Sequence, residues 1–331
     1  MRRSGTLMAL VLSVAAMAGC SEDDADLVIY SGRNEDLVGP LIEQFEEESG
    51  LNVDVRYGET AEMAAQILEE GDNSPADVFF GQDAGALGSL AEDGRLVPLA
   101  ESQLSLVDEA LRDDEGRWVG TSARARVVVY DNGDLTEEDL PDSILGFADP
   151  EWEGRIGWAP TNASFQAFVT ALRVVEGEDG ARAWLVAIQA NEPVAYENNI
   201  AIVEAVAAGE IDAGFVNHYY LHQFLAEDPE YPVSYKLYGG GDVGGLVNVA
   251  GAGVVDTAEN VDAANQFVDF LLAEEAQRYF ADETYEIPLA DGVEPFEGVP
   301  TLDELDTSVV DLNKLDDLAG TLALLTELGI T

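Results

Sequence analysis

The chain is poor in the side chains from which many proteins build disulfides, metal sites and basic surfaces. Its 331 residues contain one cysteine, two histidines and two lysines, and 15 basic residues stand against 66 acidic ones. A single cysteine excludes a disulfide within the chain. A formal net charge of -51 repels nucleic acid and anionic lipid surfaces. We therefore expect no nucleic-acid partner.

Long hydrophobic runs are also scarce, and the clearest one lies at the N-terminus. The run 7–18 follows Arg2 and Arg3 and is too short for a spanning helix, so residues 1–19 are predicted to be a signal peptide. The segment 17–20 resembles a bacterial lipobox. It predicts lipidation of Cys20, an acidic tether over 20–25 and membrane contact through the lipid anchor alone. The alternative is an ordinary signal peptide that ends near a chance cysteine.

Strand-like and helix-like patterns alternate in two blocks, 26–80 and 154–217. Such alternation predicts α/β architecture, with largely parallel sheets and helices on both faces. The length is sufficient for two lobes. Two long extended runs, 118–130 and 245–255, are expected to join these lobes as a hinge.

Polar loops follow the apolar strands, where ligands of such sheets bind. In the first block these loops are 30–34 and 80–83, and in the second block 161–164 and 198–199 precede helices. Free amides at helix starts favour anions. Routine capping by Asn and Ser is the alternative interpretation.

The segment 217–220 places two tyrosines side by side, Tyr219 and Tyr220. Adjacent residues diverge in regular structure, so convergence on one ligand requires a break between elements. Phenols normally titrate near pH 10, but a hard trivalent cation such as ferric ion can displace their protons. Ordinary aromatic packing is the alternative.

Two further groups of residues could carry chemistry. His218 and His222, at i and i+4, could share a helix face as zinc ligands, or they could be ordinary structural residues. Arg33, Arg124 and Arg126 are expected near the cleft between lobes, where guanidinium can hold an oxyanion. Pairing with carboxylates is the competing interpretation of these arginines.

Four segments together resemble the ferric-ion-binding solute-binding proteins of bacterial iron ABC transporters: 28–33, 69–80, 122–130 and 209–220. The resemblance implies the two-lobed type II periplasmic-binding-protein fold, with lobes that close over the ligand. Each lobe would be a mixed, mainly parallel sheet flanked by helices, and a two-strand hinge would join them. Lobe 1 is expected over 26–126, completed by about 251–300. Lobe 2 is expected over 127–250, completed by about 301–331.

The resemblance also implies a ligand set. Tyr219 and Tyr220 occupy the positions of the paired iron-binding tyrosines. Asn34 and Gln82 stand where one branch of the family has a histidine and a glutamate, and neither carries charge. Other branches use additional tyrosine and a synergistic anion, commonly carbonate, for which Tyr130, Arg33 and Arg124 are suitable. The remaining candidate anion-binding positions are Asn162, Ala163, Ser164, Asn199, Asn217 and Asp83.

We therefore predict a monomeric carrier rather than an enzyme. It would bind Fe³⁺ with a synergistic anion outside the cytoplasm and deliver it to an ABC permease and its ATPase. The alternatives are a same-fold binding protein for an organic cation, a phosphonate or another anion, a secreted zinc hydrolase that uses His218 and His222, and a sensory lipoprotein.

Overall fold

The computed structural model describes residues 25–306 and 309–331. The predicted signal peptide and Cys20 lie outside these residues. Within the described part of the chain, no helix combines the length and apolar character needed to cross a bilayer.

Ten strands occur in the described residues: β1 Leu27–Ser31, β2 Val53–Tyr57, β3 Val78–Gly81, β4 Val119–Asp131, β5 Ile156–Trp158, β6 Val194–Ala195, β7 Ala213–Asn217, β8 Val233–Lys236, β9 Val247–Val254 and β10 Ile287–Pro288. The α-helices in the same residues are α1 Glu35–Ser49, α2 Thr60–Glu70, α3 Ala84–Glu92, α4 Glu101–Leu104, α5 Ala163–Ala190, α6 Asn199–Ala207, α7 His218–Glu227, α8 Val261–Leu272, α9 Glu274–Asp282 and α10 Leu318–Glu327.

The local sequence accounts for these elements. In α1 the side chain of Asn34 accepts a hydrogen bond from the Asp36 amide at 2.9 Å, and Gly50 ends the helix with φ 72°. The buried residues of α1 recur at helical spacing, so one face packs on the core. In α5, Gly177 at φ 75° separates two helical halves.

The strands follow one path, β2-β1-β3-β9-β4-β7-β5-β6, and β8 and β10 pair with β4. Parallel pairing joins β2-β1-β3 and β7-β5-β6, whereas β9 and β4 pair antiparallel with their neighbours. The predicted α/β fold with two long strands between lobes is therefore observed. The sheets are less parallel than expected, because the two long strands run against the strands beside them.

Strand β4 belongs to both lobes. Its residues 119–125 pair with β9, and its residues 126–131 pair with β7 and β8. Val128 packs in one hydrophobic cluster, while Val127 and Val129 pack in a second cluster on the opposite face. Helices α6 and α7 cover that second cluster. The predicted lobe boundaries remain a prediction. A hydrogen bond of 2.7 Å between the hydroxyls of Thr170 and Thr321 joins α5 of the predicted lobe 2 to α10 in the C-terminal segment.

Candidate metal and anion site

A strand-to-helix junction presents the two neighbouring tyrosines. Strand β7 ends at Asn217 and α7 begins at His218, so Tyr219 and Tyr220 lie in the first turn of the helix. Their ring centroids are 4.3 Å apart, with an angle of 39° between the planes. The side chains are only 1% and 7% exposed. The junction supplies the break in regular structure that the sequence led us to expect.

The Tyr220 hydroxyl holds its proton firmly. Burial raises its pKa well above the usual value, and the neighbouring Tyr219 raises it further, while a hydrogen bond from Asn199 and the charge of Arg33 act in the opposite direction. At neutral pH Tyr220 is therefore protonated. A cation that binds through its oxygen must displace that proton.

Asn217 connects the phenol pair to its surroundings. Its Nδ2 donates to Ser164 Oγ at 2.8 Å and to the Tyr219 hydroxyl at 3.4 Å. Its Oδ1 accepts from Arg126 Nη1 at 3.1 Å. Asn217 and Ser164 are 0% and 1% exposed. One buried amide thus fixes a phenol, a hydroxyl and a guanidinium relative to one another.

The start of α5 contributes a second group of predicted residues. Asn162 Oδ1 accepts from the Ser164 amide at 3.0 Å and from Asn199 Nδ2 at 3.2 Å. Ala163, the first residue of α5, is buried beside them. Asn162 therefore caps its helix, whereas α6 is capped by Asn198. The start of α5 is therefore both a capped helix end and part of the site, because the Ser164 hydroxyl accepts a hydrogen bond from Asn217.

Three buried arginines surround the pair. Arg33 and Arg126 both interact electrostatically with Tyr219 and Tyr220, and Arg124 interacts with Tyr219. Two guanidinium nitrogens of Arg33, two of Arg124 and one of Arg126 are buried without a hydrogen-bond partner among the described residues. Buried N–H groups without partners are costly, so this cluster is suited to an anion that satisfies them.

The pKa values of these arginines reflect their burial and the charges close to them. Burial lowers the pKa of Arg124, and burial together with the charge of Arg124 lowers the pKa of Arg126 to about 9. Burial also acts to lower the pKa of Arg33, but Glu286, at 2.7 Å from its Nη2, outweighs this effect and leaves the pKa raised. Arg33 pairs with a carboxylate, as the competing interpretation supposed, yet two of its nitrogens have no hydrogen-bond partner among the described residues.

Asp83 is a buried carboxylate close to this cluster. Burial raises its pKa, while the charge of Arg124 and hydrogen bonds from backbone amides oppose the shift. Its Oδ1 accepts from the Ala86 amide at 3.0 Å and caps α3. These contacts make Asp83 a helix cap and a counter-ion of Arg124. As an anion-binding residue it could act only through that arginine.

The lobe 1 side of the cleft presents weaker ligands. Gln82 Nε2 donates to Ser164 Oγ at 3.1 Å, which links the lobes directly. Asn34 caps α1 and is exposed. Both residues line a cavity of about 480 Å³ between the lobes, together with Arg33, Asn162 and Tyr220. Neither side chain brings charge to it.

The same cavity has acidic and phenolic lining that the sequence analysis missed. Tyr57 and Glu59 line it from lobe 1 and Glu197 from lobe 2. Burial and the nearby Glu35 raise the pKa of Tyr57 to about 12. Tyr57 is the last residue of β2 and Glu59 comes two residues later, so their position at the end of a strand is the sequence signal that points to them. Nothing in the sequence pointed to Glu286, which lies 253 residues from Arg33.

The prediction for Tyr130 requires correction. Tyr130 on β4 is paired with Ala213 at the start of β7, whereas Arg126 on β4 is paired with Asn217, next to the phenol pair. Arg126 and Tyr130 are four residue steps apart along the extended strand, roughly 13 Å. Burial and the nearby Glu137 raise its pKa, and its partners belong to that distant end of the strand. The structure therefore does not bring Tyr130 to the tyrosine pair as a ligand.

The histidines do not form a zinc site. His218 Nδ1 accepts from the Ala125 amide at 3.2 Å, and its Nε2 donates to the Tyr285 carbonyl at 3.0 Å, so both ring nitrogens are occupied. His222 Nε2 lies 3.4 Å from the Tyr235 hydroxyl. Among the described residues, no three His, Cys, Asp or Glu side chains cluster as a metal site. The zinc-hydrolase alternative is contradicted by the occupied nitrogens.

Comparison with known proteins adds a family. Residues 73–316 match the family described as bacterial extracellular solute-binding protein. The chain is 32% identical to the Fe(3+)-binding periplasmic protein of Serratia marcescens, over 98% of this chain and 96% of that protein. It is 35% identical to the major ferric iron-binding protein of Neisseria meningitidis, over 86% and 87%.

Solved structures agree with this result. The structure of iron-bound HitA from Pseudomonas aeruginosa superposes with a TM-score of 0.87 at 32% identity, and the match covers 92% of this chain and 99% of HitA. The ferric binding protein from Campylobacter jejuni superposes with a TM-score of 0.84 at 24% identity. The two-lobed type II periplasmic-binding-protein fold is thereby confirmed.

Proposed function

The chain belongs to the bacterial extracellular solute-binding proteins, and from this premise we propose that it binds ferric iron between its two lobes. Such proteins are transport components rather than enzymes. The observation that carries the proposal is the buried pair Tyr219 and Tyr220, 4.3 Å between ring centroids, among arginines with unpartnered nitrogens. The two relatives that are 32% and 35% identical are named for binding ferric iron, which supports the same cargo.

The phenols are chemically suited to ferric ion. Hard, highly charged cations prefer charged oxygen ligands, and two phenolates offset two of the three positive charges. Gln82 and Asn34 would contribute neutral oxygens at most. Most of the charge that holds the cation therefore comes from lobe 2.

A charge balance supports a doubly charged synergistic anion. Among the buried charges, the three arginines Arg33, Arg124 and Arg126 stand against the two carboxylates Asp83 and Glu286, which leaves one excess positive charge while the phenols are neutral. The cavity carboxylates Glu59 and Glu197 are exposed to solvent and are not counted. Ferric ion that displaces two phenol protons adds one more. A dianion such as carbonate would neutralise the remaining two charges, and its oxygens would accept from the unpartnered guanidinium nitrogens.

Delivery completes the proposal. A solute-binding protein of this kind hands its cargo to an ABC permease driven by an ATPase, and the chain is proposed to act there as a monomer outside the cytoplasm. The membrane would be reached through a lipid on Cys20, which lies outside the described residues. Neither nucleic acid nor a lipid surface is an expected partner of so acidic a chain.

The proposal is tested by adding a ferric salt with bicarbonate to the purified protein and recording the visible tyrosinate-to-iron charge-transfer band. The band should appear in the wild type and disappear when Tyr219→Phe is combined with Tyr220→Phe. Tyr231→Phe is the matched control, because Tyr231 stacks on Phe224 at 4.8 Å, at the other end of α7. A band that persists in the double variant would place the iron elsewhere.

A second candidate is a small oxyanion, such as a phosphonate, as the cargo itself. The unpartnered nitrogens of the three arginines favour it. Titration calorimetry with phosphonate in the absence of iron decides between the two: tight binding that is unaffected by Tyr220→Phe would support this candidate over ferric iron.

A further inference from the structure

In the hinge strand β4, one backbone amide donates its hydrogen bond to a side chain rather than to a neighbouring strand. Ala125 is the last residue of β4 paired with β9, and Arg126 is the first paired with β7. At this change of partner the Ala125 amide donates to His218 Nδ1 at 3.2 Å. A side chain thus satisfies a buried backbone donor at the point where one sheet gives way to the other.

The other side of the same imidazole is also anchored. Because Nδ1 accepts, the ring proton of neutral His218 is on Nε2, which donates to the Tyr285 carbonyl at 3.0 Å. The side chain is fully buried. His218 is therefore fixed at both nitrogens and immediately precedes the phenol pair.

The acceptor lies on an unusual backbone segment. Tyr285 has φ 58°, the left-handed region that a bulky residue rarely adopts. Its ring contacts Phe296 edge-on at 4.8 Å. The next residue, Glu286, holds Arg33 at 2.7 Å. Strain of this kind persists where surrounding contacts enforce it, and here the strained residue and its neighbour contact both sides of the cleft.

We propose that His218 is a positioning residue, which fixes the first turn of α7, and with it the phenols of Tyr219 and Tyr220, to the hinge point of β4 and to the Tyr285 carbonyl. It contacts no cargo itself. The link to iron rests on the proposed function, whereas the link to the hinge rests on the hydrogen bonds alone. Partners that orient metal ligands typically change metal affinity by about 10- to 100-fold when removed.

Three substitutions separate the two hydrogen bonds. His218→Asn retains an acceptor at the position of Nδ1, His218→Gln retains a donor near the position of Nε2, and His218→Leu retains neither. His222→Leu is the matched control, since His222 lies one turn later on α7, 6.3 Å between ring centroids, and lacks the backbone contacts of His218.

The first readout is hydrogen exchange at the Ala125 amide, measured without iron. Exchange should be slow in the wild type, in His218→Asn and in His222→Leu, and fast in His218→Gln and His218→Leu. Unchanged exchange in His218→Leu would overturn the anchoring. If that variant failed to fold, the contrast between the Asn and Gln variants would decide the same point.

The second readout is the ferric tyrosinate band and the rate of iron release to a chelator. His218→Leu should shift the band and release iron about 10- to 100-fold faster, with the Asn and Gln variants in between. Equal effects in His222→Leu would show general packing instead and overturn the positioning role. A wild type that gave no band would refute the proposed function, while the exchange at Ala125 would still decide the anchoring.

Discussion

The two faces of the cleft are built differently. On the lobe 2 face, Tyr219, Asn217 and Ser164 are at most 1% exposed and hydrogen-bonded to one another. On the lobe 1 face, Asn34 is exposed and Gln82 is half-buried, neither carries charge, and the cavity-lining carboxylate Glu59 is exposed to solvent. The difference indicates that lobe 2 would hold the cation, while lobe 1 would close over it and contribute Arg33 toward the anion.

The largest expected effect is on the pH dependence of iron binding, which reports the phenol ligands of the lobe 2 face. Because Tyr220 keeps its proton at neutral pH, it must release that proton when it binds iron, so affinity rises with pH. Between pH 5 and 7 the slope of the logarithm of the apparent affinity against pH should be smaller by about 1 in Tyr220→Phe than in the wild type, because the variant releases one phenol proton fewer. The protons that bicarbonate loses when it binds as carbonate steepen both slopes equally. Competition against a chelator of known pH dependence measures both slopes. Equal slopes would mean that Tyr220 is not a ligand.

Removal of Arg124 should have the next largest effect. Arg124→Met deletes two guanidinium nitrogens that have no partner among the described residues, so the anion would lose a charge-assisted pair of hydrogen bonds. Iron affinity in bicarbonate should fall by about 10- to 100-fold, equivalent to roughly 1.4 to 3 kcal/mol. Arg182→Met, which removes a surface arginine paired with Glu327, is the control and should leave the affinity unchanged.

A carboxylate added to the lobe 1 face should reduce the difference in ligand charge between the two faces of the cleft. Gln82→Glu places a charged oxygen where Gln82 now meets Ser164 across the cleft, and Ser164 can donate to it in return. We expect slower iron release, by about 10-fold. Gln44→Glu, on the exposed side of α1, controls for added negative charge. Faster release in Gln82→Glu would show that the amide serves the site better than a charged ligand.

The smallest effect is expected at Tyr130. The structure places its ring at the far end of β4, near Ser234, so Tyr130→Phe should leave the position and intensity of the tyrosinate band unchanged. A measurable shift of the band would restore the original prediction that Tyr130 is a ligand, and would require the lobes to rearrange on iron binding.

Much of the fold follows from the sequence. The alternation of strand and helix patterns in 26–80 and 154–217 corresponds to the observed elements, and the extended runs 118–130 and 245–255 correspond to β4 and β9. Local periodicity carries this information, because each element must bury one face. The antiparallel pairing of β4 and β9 did not follow, since strand direction depends on which distant strands meet.

The site was predictable only in its local parts. Tyr219 and Tyr220 are adjacent in sequence, so their meeting needs only the junction of β7 and α7. Glu286, by contrast, reaches Arg33 from 253 residues away, and the role of the Tyr285 carbonyl depends on a backbone angle that no residue pattern indicates. Tyr130 shared its sequence neighbourhood with Arg126 but not its end of the strand.

The most direct test of the account is the structure of the ferric complex, with the iron located by its anomalous scattering. The account predicts one iron within direct bonding distance of both the Tyr219 and Tyr220 hydroxyl oxygens, beside an anion held by Arg124. Iron bound elsewhere, or a cleft that holds an organic molecule while both rings pack against aliphatic neighbours, would contradict it.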